Sequence, residues 1–199
     1  MRFFDPSSGR ILMEGRDLLS LTPEELRRKI IMVPQTVSLF SGTLRENLCL
    51  AAPEASEQAL WEALDDVWLK DWVLEQPTDV GDAGQKLSGG QRQKIGIARA
   101  LLCQAEYIVF DEATSSVDLE SEQEIWRCID SLAQTRTLII ISHRLSTIRG
   151  ADNIYVLDRG QVAQQGTHAQ LMAEPGLYRR LVQEQTLLEQ QGEEGLHHG

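Results

Sequence analysis

Leu87-Ser88-Gly89-Gly90-Gln91 stands directly before a stretch in which Ile95, Ala98, Leu101 and Leu102 recur at helical spacing. Two glycines after a serine let backbone N–H groups approach a ligand closely, and a helix N-terminus adds unpaired donors and a positive partial charge. A phosphate group is the ligand that such an end suits best. A serine-glycine pair ahead of a helix is in most cases only a cap, so the run takes its weight from its downstream companions. Two apolar runs of strand length, Tyr107 to Phe110 and Leu138 to Ile141, end in Asp111-Glu112 and in Ser142-His143. Between them lies a helical stripe of Ile125, Trp126, Ile129, Leu132 and Ala133, which predicts strand, helix, strand in a parallel sheet. Functional side chains of such sheets gather at the C-terminal strand ends. Asp111, Glu112 and His143 all fall there.

With Ser115-Ser116-Val117-Asp118 after the first strand, these pieces in this order resemble the nucleotide-binding domain of ATP-binding-cassette (ABC) transporters over nearly the whole chain. The resemblance implies an α/β fold: a P-loop NTPase-like (RecA-like) parallel sheet core, an inserted α-helical signature lobe and part of an antiparallel β subdomain. It also implies roles. Leu87, Ser88, Gly89, Gly90 and Gln91 are the signature, Asp111 and Glu112 the Walker B end, Ser116 and Asp118 part of the D-loop, His143 the switch histidine, and Gln35 the Q-loop glutamine. The P-loop pattern, two glycines around four residues and then Lys-Ser or Lys-Thr, occurs nowhere in the 199 residues. None of the four lysines, Lys29, Lys70, Lys86 and Lys94, follows a glycine. Arg2 to Gly9 resembles the segment that comes shortly after the P-loop helix, so the expectation is an N-terminally truncated exporter domain.

Hydrolysis of a nucleoside triphosphate requires a grip on the phosphates, Mg²⁺, a group that activates water and a sensor of the γ-phosphate. Asp111 suits Mg²⁺, an ion that keeps most of its waters and needs few carboxylates. Glu112, one residue on, is placed to act as general base if the chain turns there. His143 at the neighbouring strand end would reach the γ-phosphate and Glu112, and Gln35 is a neutral ligand for magnesium or water. By resemblance the cofactors are ATP and Mg²⁺, and Ser88, Gly90 and Asp118 act on the nucleotide held by a second nucleotide-binding domain, in a homodimer or heterodimer. The family's transmembrane domain is the other implied partner. The place is then the cytoplasmic face of the cell membrane, reached through a membrane domain absent from this sequence. A different class of reading is a non-hydrolysing module that completes a partner ABC protein's site.

The elements that must carry these residues are legible in order. Residues 1–35 read as a remnant of the β subdomain and the Q-loop strand. Thr22-Pro23-Glu24-Glu25 opens a short helix, and Ile30 to Val33, followed by Pro34, predicts a strand buried on both faces. Residues 36–86 read as the helical lobe, with helices at Thr43 to Leu48 and at Ser56 to Trp72. Trp61, Trp68 and Trp72 there are either a docking surface or lobe core. Thr78 to Gly84 looks like the exporter segment that meets the membrane domain, with Asp82-Ala83 where that pattern usually has Glu-Arg. Residues 87–174 hold the signature helix, Walker B, D-loop and H-loop core, ending in a hairpin around Asp158-Arg159-Gly160 and a small helix from Thr167. Residues 175–199 predict a C-terminal helix that frays from Gln190.

A formal charge of −11 leaves no basic patch for phosphate backbones, so nucleic acid is not an expected partner. The longest apolar runs are too short to cross a bilayer. Cys49, Cys103 and Cys128 are widely spaced and odd in number, which suits reduced thiols and neither disulfides nor zinc. The pair His197-His198 reads as solvated tail.

Overall fold

The computed structural model describes residues 2, 4–75, 79–115 and 117–196, and their side chains as far as Leu188 apart from Ser146. Backbone contacts divide the chain into two compact units, residues 1–141 and 142–199.

The first unit opens with a minimal antiparallel pair, β1 (Leu12–Met13) and β2 (Arg16–Asp17), turned through Glu14-Gly15, both at positive φ. Helix α1 (Pro23–Lys29) starts on the expected capping box, in which Thr22 accepts from Glu25 N and Glu25 accepts from Thr22 N, with proline in the first turn. It runs into strand β3 (Ile30–Val33). Three short helices follow: α2 (Leu44–Cys49), α3 (Glu57–Asp66) and α4 (Lys70–Glu75). Then come the long helix α5 (Gly89–Leu102), strand β4 (Tyr107–Asp111), helix α6 (Leu119–Ala133) and strand β5 (Thr137–Ile141). Strands β3, β4 and β5 form a parallel sheet in that spatial order, with Val33 opposite Phe110 and Phe110 opposite Ile140.

One face of this sheet, Ile31, Val33, Ile108, Phe110, Leu138 and Ile140, packs into a core shared with Ile95, Ile97 and Ala98 of α5 and Ile125 and Ile129 of α6. Each fully buried large side chain there contributes about 1.5–3 kcal/mol over exposure. The opposite face behaves differently. Ile30 and Met32 are only half-buried, and Ile139 and Ile141 are 45% and 49% exposed. The expectation of a β3 strand buried on both faces is therefore corrected: the run is apolar throughout, but alternate side chains meet different surroundings.

The single helix expected from Ser56 to Trp72 is two helices. Trp68 adopts a left-handed conformation (φ 54°), Trp68 N donates to Asp65 O, and Leu69 N donates to Leu64 O, the two bonds of a Schellman termination. Val67 and Leu69 on either side are fully buried, so apolar spacing continues across the break and hides it from a periodicity argument. Of the tryptophans, Trp72 packs against the core, while Trp61 and Trp68 are exposed, Trp68 with the Arg127 guanidinium 5.9 Å from its ring centroid.

The second unit contains α7 (Leu145–Ile148), the antiparallel hairpin β6 (Ile154–Asp158) and β7 (Gln161–Gly166), α8 (His168–Ala173) and α9 (Leu177–Leu196). Its core is Leu145, Ile154, Val156, Leu171, Tyr178 and Val182, with the Tyr178 hydroxyl 2.8 Å from His168 Nδ1. Helix α9 runs as far as Leu196, past the residue where the sequence loses its apolar stripe. His197 and His198 lie outside the described residues. Among the described residues no helix is long and apolar enough to cross a membrane.

Candidate nucleotide site

Helix α5 begins where the signature was read. Ser88 is its N-cap: Ser88 Oγ accepts from Gln91 N at 3.1 Å, and Gln91 Oε1 accepts from Ser88 N at 2.8 Å. Ser88 is exposed, Gly89 is half-buried and Gly90 is buried, so the first turn has one closely packed flank. The structure shows Ser88 in its capping role. Leu87 is buried in the core below it.

That packed flank is the start of α6. A Cβ built on Gly90 would lie 2.3 Å from Ser121 Oγ and 2.5 Å from Ser121 Cβ, so this position excludes any side chain. Ser121 is held by Asp118, the N-cap of α6, which accepts from Ser121 N at 2.9 Å and from Ser121 Oγ at 2.8 Å. Those two hydrogen bonds, the backbone one foremost, hold the Asp118 carboxyl below its ordinary pKa. Two helix N-termini, with exposed Ser88 and Asp118 as their caps, thus lie side by side. Further along α5 the buried Lys94 ammonium, its side chain 7% exposed, meets Glu124 of α6 at 2.6 Å. Such a pair is costly to break because either charge alone is left without its partner.

The acids stand at the end of β4. Asp111 is the last residue of the strand, opposite Ile141, on the half-covered face of the sheet. Glu112 then turns into the left-handed region (φ 49°), with its N–H donating to Ile141 O at 2.9 Å. A left-handed glutamate is costly backbone geometry, and here it redirects the side chain just past the strand end. Ser115 closes the turn: its N–H and its Oγ both donate to Glu112 O, at 3.1 and 3.0 Å. Gln35, two residues beyond β3, donates from Nε2 to Ser115 Oγ at 2.8 Å. Gln35, Ser115 and Glu112 are therefore one hydrogen-bonded chain across the ends of β3 and β4. Ser116 lies outside the described residues. His143 falls in the second unit, exposed, in the turn before α7 where Ser142 Oγ accepts from Arg144 N.

Gln35 and Glu112 were candidates from the sequence. Ser115 as their link, Ser121 as the neighbour of Gly90, and the Lys94–Glu124 pair were not. A cation at a position that α5's apolar spacing turns inward was the available signal for Lys94. Asp79 accepts from Gly81 N and from Lys86, Asp82 accepts from Ser41 Oγ at 3.1 Å, and Ala83 is left-handed (φ 50°). The three cysteines are free, and burial raises the thiol pKa of Cys103 and raises that of Cys128 to about 11. Among the described residues no group of three or more His, Cys, Asp or Glu is arranged to hold a metal ion.

The family model described as ABC transporter matches residues 1–115. An uncharacterised ABC transporter ATP-binding protein of Sinorhizobium fredii is 45% identical over 191 residues, 94% of this chain and 33% of that protein. An ATP-dependent lipid A-core flippase of Ralstonia nicotianae is 45% identical over 89% of this chain and 31% of its own length. A putative multidrug export ATP-binding/permease protein of Staphylococcus aureus is 41% identical over 94% and 33%. Among solved structures, a bacterial Atm1-family ABC exporter with ATP bound superposes with a TM-score of 0.86 at 39% identity, covering 93% of this chain and 33% of that one. The chain spans about a third of the length of the relatives it matches.

Proposed function

Because the chain belongs to the ABC transporter family, we propose that it is the ATP-binding and ATP-hydrolysing portion of an exporter, contributing the signature and Walker B sides of the nucleotide site. The observation that carries this reading is the joint presentation of two helix N-termini, Ser88 of α5 and Asp118 of α6, locked by the Gly90–Ser121 contact. A signature and a D-loop that act on one nucleotide must be offered together.

In this reading Ser88 and the amides of Gly89 and Gly90 bind the γ-phosphate of ATP held by a second nucleotide-binding domain, and Asp118 crosses the same interface. Leu87 and Gln91 fix that turn from inside. The donor set at the strand ends fits Mg²⁺: Asp111 offers a carboxylate, and Gln35, whose Nε2 is given to Ser115, offers its amide oxygen. Bound there, the ion would neutralise phosphate charge. Glu112 orients and deprotonates the attacking water, its turn held by Ser115. His143 senses the γ-phosphate, and Ser116 joins Asp118 in the D-loop. A transmembrane domain at the cytoplasmic face of the membrane receives the stroke through the helical lobe, near Phe40 and Asp82.

The 199 residues hold no Gly-Lys cradle for the β- and γ-phosphates, and a second reading is a non-hydrolysing module that completes a partner's site. In both readings the purified chain alone turns over little or no ATP. A phosphate-release assay tests this: turnover by the purified chain that disappears in Glu112→Gln overturns the dependence on an external cradle. Turnover restored by adding a P-loop-bearing domain, and lost in Glu112→Gln, supports the ATPase reading over the binding module.

A further inference from the structure

One stripe of α5 holds the segment that carries Gln35. Gln93, Gly96 and Arg99 succeed one another at three-residue steps along the helix. Gln93 Nε2 donates to Pro34 O at 3.1 Å. A Cβ on Gly96 would come within 2.6 Å of Val37 Cγ2, so the segment lies as near the helix as glycine permits. Arg99 spreads its fork over three acceptors: Nη1 to Ser38 O at 2.8 Å, Nε to Asn47 O at 2.9 Å and Nη2 to Asn47 Oδ1 at 2.9 Å. Asn47, itself buried, clasps Phe40 through Phe40 N to Asn47 Oδ1 at 2.9 Å and Asn47 Nδ2 to Phe40 O at 2.8 Å. Residues 34–40 are thus fastened at both ends to the helix whose first turn is the signature, and Gln35 leaves that strap toward Ser115.

Among the described residues the acceptors of Arg99 are neutral oxygens. Burial without a carboxylate holds its pKa below the ordinary guanidinium value. A half-buried cation in that setting acts through its geometry: a planar fork reaches three oxygens at once, and a lysine ammonium cannot reproduce it.

We propose that Arg99, clasped to Asn47, is a positioning residue for Gln35: it fixes the strap 34–40 on α5 so that the Gln35 amide meets Ser115. The functional meaning rests on the nucleotide-site reading of Gln35, but the geometric claim does not. It makes Arg99 more than a stabiliser of the lobe.

The test is the side-chain amide signal of Gln35 in ¹⁵N NMR of the full chain without nucleotide, assigned by its loss in Gln35→Glu. In the wild type the Gln35 Nε2 protons, on an exposed but hydrogen-bonded side chain, resonate away from those of solvated glutamines and exchange more slowly than they do. Arg99→Lys sends them to the solvated position with exchange about tenfold faster or more, while Val73→Ala, a core change in α4 that also lowers the melting temperature, leaves them in place. If Arg99→Lys does not fold, Asn47→Ser is scored by the same two criteria. A Gln35 signal unmoved in the folded variant, or moved as far by Val73→Ala, overturns the proposal. Because no nucleotide is present, that result leaves the ATPase reading to its own assay.

Discussion

The two faces of the β3-β4-β5 sheet are built from the same residue types and have different fates. Val33, Phe110 and Ile140 lie in register against α5 and α6, whereas Met32, Val109 and Ile139, one residue away on each strand, are at best half-covered. An apolar run records what a strand is able to bury, and only the neighbouring elements decide what it does bury. The same contrast separates two kinds of residue at the strand ends. Asp111 projects from the half-covered face, while the N-caps Ser88 and Asp118 ride on the helices that cover the other face.

Breaking the packed face carries the largest expected effect. Phe110→Ala costs about 3–5 kcal/mol in urea unfolding, while Ile139→Thr, which keeps a β-branched side chain on the half-exposed face, costs less than about 1 kcal/mol. Equal losses would erase the distinction between the faces. Gly90→Ala forces the α5 and α6 N-termini apart and costs about 1–3 kcal/mol. Adding Ser121→Gly to that variant recovers most of the loss, because the clash is with Ser121 itself. A double mutant no better than Gly90→Ala would show that the two turns are not in contact. Ser88→Ala removes a capping hydroxyl and costs about 1 kcal/mol, read from the same unfolding curves; an unchanged midpoint would take the cap out of the stability of α5.

The smallest effect is a pH dependence. Since the folded carboxyl of Asp118 titrates below its ordinary value of 3.8, its stabilising share is present above that value and fades as pH falls through the folded value. Asn caps a helix comparably at any pH. Melting temperatures of the wild type and Asp118→Asn should therefore separate at neutral pH and converge in acid; a gap that stays constant on acidification would remove the charge of Asp118 from the account.

Much of the scaffold is written locally and was legible. Thr22-Pro23-Glu24-Glu25 encodes its own capping box, Ser88 and Gln91 another, and the strand runs ending at Asp111 and Ile141 pair in the expected parallel order. What the sequence concealed is set by contact between distant elements. The break at Trp68 is invisible because Val67 and Leu69 keep the apolar rhythm through a left-handed residue. Ser115 reads as one more D-loop serine until β3 and β4 pair and bring Gln35, eighty positions earlier, within 2.8 Å. Arg99 reads as an ordinary helix cation until α2 and the strap fold over it.

If Ser88 and Asp118 complete a site whose phosphate cradle comes from another domain, this chain must change how that domain holds its nucleotide. The most direct measurement is the affinity for Mg–ATP of a P-loop-bearing nucleotide-binding domain from the Atm1-family relative, titrated with and without this chain. The chain should tighten binding about tenfold, Ser88→Glu should abolish the gain, and the chain alone should bind weakly. Micromolar ATP binding by the chain alone, or an affinity that its addition leaves unchanged, would contradict a shared site.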